Sequence, residues 1–168
     1  MPMQDEKCAA RQMAEIIRKQ EAALQFDHFD AGDAWLIGQS LRVRAIAHGG
    51  SVSIDITLGG LNLFHTVVEK PTPNNDRWVA RKRNTVLEFW KSSLLVAQEM
   101  LVSGRTLTEF GLNEKELALS GGGFPIRLKD IGVVGAIVVS GLPQTHDHQL
   151  IVDALAEYLH QQVESVLA

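Results

Sequence analysis

The 168 residues carry a formal net charge of −4 and are 45% hydrophobic, a balance that fits one compact domain over residues 1–168 and argues against a multidomain enzyme. With 16 Lys and Arg against 20 Asp and Glu, and no like-charge block beyond Arg81, Lys82 and Arg83, neither nucleic acid nor a membrane surface is an expected partner. The lone Cys8, the missing signal-like h-region and the lack of an apolar run of spanning length predict a cytoplasmic protein without internal disulfides.

In residues 4–24, Ala9, Met13, Ile16, Ile17 and Leu24 recur at spacings of three and four, which predicts an amphipathic helix. A second helix follows, capped by Asp30, striped by Ala34, Ile37, Leu41 and Ala45, and stopped at Gly49 and Gly50. From Ser51 the period changes to two, so Val52, Ile54, Ile56 and Leu58 predict a half-buried strand. Gly59 and Gly60 turn the chain into a second run, Leu61 to Val68, whose mostly apolar faces suggest a central strand. After the loop EKPTPNNDR, with Asn75 or Asp76 as cap, Trp78 opens one long helix to residue 103, with Val79, Val86, Trp90, Leu94, Ala97 and Leu101 on one face and Gly104 at its end. Residues 105–115 read as loop. ELAL, FPIRL and GVVGAIVVSG then read as three strands, the last two joined by a turn at Lys129 and Asp130. A final helix begins near Asp147 and carries Leu150 to Val163 toward the C-terminus. The sum is an α+β domain with about five mostly antiparallel strands covered by about four helices.

Four constellations are candidates to carry chemistry. Gly121, Gly122 and Gly123 either offer backbone amides to an anion or admit a close backbone approach at a strand entry. Arg83 lies on the stripe of Val79, Val86 and Trp90, where a guanidinium must snorkel, pair with a carboxylate or face an anionic ligand. His65 shares a strand side with Leu61, Leu63 and Val67, as a haem or metal ligand in an apolar wall or as a hydrogen-bonded core histidine. Ser93 is expected to bond back to the carbonyl four residues earlier, and Arg77 and Arg81 to face solvent. His146, Asp147 and His148 would form a metal site, unless Asp147 serves as a cap at the helix start. Neither GxSxG nor HExxH occurs, and Cys8 has no CxxC partner.

The segments SGGGFPIRL, GVVGAIVVSGLPQ and DHQLIVDAL, with FDHFDAGDAWLIG and PTPNNDRWVARKRNTVLEFWKSS upstream, resemble the haem-degrading (HbpS/GlcG-like) domain superfamily, and within it an uncharacterised (UPF) branch of bacteria and fungi. The resemblance covers nearly the whole chain. It implies a profilin-like α-β-α fold around a five-stranded antiparallel sheet and a tendency to homo-oligomerise. Some such relatives bind haem, metals or corrinoid-related ligands, and the superfamily name reflects a proposed haem-degrading activity. The matched positions Gly122, Gly123, Pro125, Gly132, Gly135, Ser140, Gly141 and Asp147 look architectural; His148 replaces the family's common acidic pair, and no matched position supplies an axial haem ligand. The expected function is a small-ligand-binding module, its pocket at a subunit interface and lined by His65, Arg83, Gly121, Gly122 and Gly123, for an anionic ligand, haem or a divalent metal. The alternatives are an interaction or assembly protein built on Trp35, Trp78 and Trp90 and, last, a haem-degrading enzyme.

Overall fold

The computed structural model describes residues 2–167. Five α-helices, α1 (Pro2–Ala23), α2 (Ala31–His48), α3 (Pro73–Phe89), α4 (Ser93–Ser103) and α5 (Gln144–Tyr158), surround four strands, β1 (Val52–Leu58), β2 (Leu61–Val68), β3 (Gly123–Leu128) and β4 (Gly132–Ser140). The sheet is antiparallel throughout, in the order β2-β1-β4-β3. Helices α2 and α5 cover one face, packing Ile37, Leu41, Ile151 and Leu155 on Ile54, Ile56, Ile137 and Val139. Helix α3 covers part of the other, with Val79 and Val86 on Ala136 and Val138. Helix α1 stands outside that layer and packs on α4 through Ala14, Ile17, Leu94 and Leu95.

Four strands replace the five expected. Residues 116–119 form no ladder because α3 satisfies their backbone: Arg81 donates to the Leu117 carbonyl, Asn84 to that of Glu116, and the Thr85 hydroxyl exchanges hydrogen bonds with Ala118. Arg81 is thus a strut to this loop rather than a solvated side chain. On the far edge, beside β3, a single bridge at Phe26 takes the place of a strand. Strand β2, expected at the centre, is the opposite edge, and Leu61 and Val67 are exposed. Its neighbour β1, expected half-buried, is covered on both faces.

Five helices replace four because the long helix breaks. Trp90 adopts a left-handed conformation at φ 53°, and Ser92 starts α4 by accepting the Leu95 N–H. Glu21 of α1 reaches into the break and accepts the Ser92 N–H at 2.7 Å. The helix start moves as well, to Thr72 and Pro73, with Asn75 closing a capping box. The last helix begins at Gln144 and ends at Tyr158; the following residues fold back over α1 and α5, where Gln20 of α1 donates to the Glu164 carbonyl and Gln149 of α5 accepts the Val166 N–H.

At the sheet centre, β1 and β4 approach closely because residue 135 has no side chain. A methyl group there would stand 2.1 Å from the Thr57 carbonyl oxygen and 3.0 Å from Leu58 Cα, and neither central strand has room to retreat. Gly135→Ala is expected to lower the unfolding free energy by about 2–3 kcal/mol, the upper part of the overpacking range, read from the shift in urea midpoint; an unchanged midpoint would show that the strands can part.

Candidate functional site

The turn of the wheel that α3 presents to the sheet carries Val79, Lys82 and Val86, at steps of three and four. Lys82 therefore points inward, and it is only 3% exposed. Its ammonium donates to Asp147 Oδ2 at 2.9 Å and to the Val139 carbonyl at 3.0 Å. Asp147, 1% exposed, also accepts the backbone N–H groups of Gly141 and Leu142. Burial pushes the Lys82 ammonium below its ordinary pKa and the Asp147 carboxyl above its own, and their mutual attraction does not make good the loss of water on either side.

An ammonium has three N–H groups, and protein acceptors take two of those of Lys82. The pair stands in the wall of an open cleft of about 280 Å³, which Asn74, Asn75, Trp78, Ser120 and Ser140 also line. The cleft presents amides, hydroxyls and an indole around one spare cationic donor.

The glycine run is part of this wall from behind. A methyl group on Gly122, at φ 119°, would lie 2.2 Å from the Val139 carbonyl and 2.8 Å from the Lys82 ammonium; one on Gly121 would meet the Gln144 carbonyl at 2.3 Å. Gly123 donates to Ser93 Oγ at 2.9 Å. These residues admit the lysine and the strand rather than display free amides. Ser93, at the first position of α4, accepts that bond in place of the back-bond expected within one long helix.

His65 and Arg83 meet elsewhere on the same sheet face, around Asp55. That buried carboxylate accepts from Arg83 Nη2 at 2.9 Å, Thr57 Oγ1 at 3.0 Å, Asn62 Nδ2 at 2.6 Å and His65 Nδ1 at 3.3 Å. The other imidazole nitrogen of His65 stands 3.6 Å from Asp76 Oδ1, on the first turn of α3. A bulge between Ile56 and Thr57 turns Asn62 to this face. The structure therefore separates the residues expected in one pocket: Gly121, Gly122 and Gly123 support the Lys82 cleft, while His65 and Arg83 stand on a shelf beside it.

The expected metal triplet does not converge. Asp147 is committed to Lys82 and two amides, and it lies inside α5 rather than at its cap, tying down the loop before it. His148 is fully buried and bonds Gln20 Oε1 at 2.8 Å, and burial depresses its pKa to about 3. His146 packs edge-on against His48, ring centroids 5.4 Å apart. No group of three or more His, Cys, Asp or Glu side chains placed to hold a metal occurs among the described residues.

The profile of a family described as haem degrading protein HbpS-like matches residues 29–156. The chain belongs to this HbpS-like family. It is also 41% identical over 150 residues to a UPF0303 protein of Rhizobium etli, covering 89% of this chain and 92% of the relative, and 42% identical over 151 residues to one of Burkholderia thailandensis, with the same coverage. Among solved structures, the Ybr137w protein superposes with a TM-score of 0.81 at 29% identity, covering 88% of this chain and 87% of that one. HbpS itself gives 0.63 at 23% identity, with 80% and 92% covered, and PduOC, solved as a haem complex, 0.65 at 16% identity, with 82% and 97% covered; these two establish the shared fold.

The donor set of this HbpS-like chain does not fit haem. An axial imidazole must open onto an apolar cavity, and none of five clefts of about 180–430 Å³ has a histidine in its wall. His65 faces two carboxylates, and His148 is enclosed.

Proposed function

We propose that this HbpS-like protein is a small-ligand-binding module, and that its ligand is a small polar molecule with an anionic or carbonyl oxygen that takes the third N–H of Lys82 in the cleft beside Trp78. The observation that carries this reading is the buried Lys82 and Asp147 pair: two charged side chains taken out of water on the wall of an open cleft, with one ammonium N–H not taken by a protein acceptor. Asn74, Asn75, Ser120 and Ser140 supply further polar partners, and Trp78 a flat apolar face.

Native mass spectrometry of the protein purified without added ligand tests it, followed by titration with small carboxylates and phosphates. The expected result is a retained or added small mass, with affinity at least tenfold weaker in Trp78→Ala, a change at a partly exposed side chain. A bare chain that binds none of these compounds would overturn the reading.

A second reading, self-association, is favoured by Trp35, Leu36, Val43 and Ile46, all exposed on α2. The same spectrum gives the subunit number, and a strict monomer removes this reading. Haem degradation has the least support, since none of the five clefts described above has a histidine in its wall; an unchanged Soret band on incubation with haem and a reductant would count further against it.

A further inference from the structure

We propose that His65 Nε2 and Asp76 Oδ1 together bind a divalent transition metal of the zinc class on the shelf beside Asp55, at a site distinct from the Lys82 cleft. Asp55 is an acceptor-only carboxylate, so the 3.3 Å contact with His65 Nδ1 places the ring proton there. The other ring nitrogen, Nε2, is left for a further partner. It faces Asp76 Oδ1 at 3.6 Å. At that separation the two atoms make no direct hydrogen bond, and each is a metal-ligand atom.

The spacing matches a metal. Zinc holds nitrogen and oxygen at about 2.0–2.2 Å, so two ligand atoms on a tetrahedral centre lie about 3.4 Å apart. The support behind the ring is also that of a metal ligand: an imidazole that binds through one nitrogen usually donates the other N–H to a carboxylate, and Asp55 is fixed in that role by Thr57, Asn62 and Arg83. Charge points the same way. Asp55 and Asp76 outnumber the single guanidinium of Arg83, so a cation is favoured over an anion. His65 and Asp76 have side chains 39% and 56% exposed, which leaves the site open to entry and its remaining positions to water or to an oxygen of a bound solute.

Titration calorimetry with zinc, and absorption spectroscopy with cobalt(II) as a coloured substitute, provide the test on the full chain. One equivalent per chain is expected, with visible d–d bands and affinity reduced at least tenfold in both His65→Gln and Asp76→Asn. Both positions are open to solvent, so the variants should keep the far-ultraviolet circular dichroism of the parent. His146→Gln should bind as the parent does. The proposal is overturned if no metal binds at millimolar concentration, if either shelf variant binds as tightly as the parent, or if binding is lost with His146 instead.

Discussion

Lys82→Met is expected to destabilise the protein by about 3–5 kcal/mol, the usual result of removing one partner from a buried ion pair. Asp147 would keep its charge at 1% exposure with only the Gly141 and Leu142 amides to answer it. A domain whose total stability is about 5–15 kcal/mol would then stand near its folding threshold. Adding Asp147→Asn removes the orphaned charge while its amide oxygen still accepts the Leu142 N–H. The double variant should therefore recover most of the loss in urea denaturation. That pattern, a costly single change and a tolerated pair, would show that the pair is not kept for stability. A single variant as stable as the parent would mean that water in the cleft hydrates Asp147 well enough to make the lysine dispensable.

The second large effect is acid lability. His148 has an ordinary pKa of 6.5 and is depressed to about 3 by full burial, so below pH 6.5 the unfolded chain takes up a proton that the folded chain refuses. Stability due to the neutral ring is complete above pH 6.5 and falls by about 1.4 kcal/mol per pH unit below it. By pH 3.5 the loss reaches on the order of 4 kcal/mol. The geometry explains the refusal. Gln20 gives its amide N–H to the Glu164 carbonyl and its oxygen to His148 Nε2, so the ring proton sits on Nε2 and Nδ1 is left buried without a partner. His148→Gln keeps a donor for Gln20 but cannot titrate. Urea midpoints measured from pH 7 to 3.5 should fall less steeply in the variant, and because all other groups titrate in both proteins, the difference isolates His148. Parallel profiles would show that the ring is protonated in the fold.

The hydrophobic rhythm placed α1, α2, the β1-β2 hairpin and the β3-β4 hairpin, because each is bounded by local signals: Asp30 as cap, Gly49 as stop, Gly59 and Gly60 as a turn. The α+β class followed from them, while the family was read from the resemblance of segments such as SGGGFPIRL and GVVGAIVVSGLPQ. What rhythm could not reveal was the break at Trp90, since its cause is a side chain from far away, Glu21, that satisfies Ser92. Carrying the helix through the exposed Trp90 to Leu94, which is buried in α4, set the phase of α3 by residues outside it, and that phase chose Arg83 over Lys82. The steps from Val79 to Lys82 and on to Val86 are an equally good fit to 3.6 residues per turn and held the missing signal. Asp55 was passed over because polar residues that alternate in a strand ordinarily face water, whereas here α3 lies across them. Likewise the expected fifth strand failed not for want of propensity in residues 116–119 but because Arg81, Asn84 and Thr85 had already taken their backbone groups.

The return of the residues after Tyr158 to α1 joins stretches far apart along the chain. Gln20 holds the Glu164 carbonyl, 144 positions later, while Ile17 packs on Leu94 and Leu95. During synthesis α1 therefore precedes the partners that cover it, and its apolar stripe stays open until α4 follows. Removing the residues beyond Tyr158 would release the Gln20 amide and leave α4 in place over Ile17.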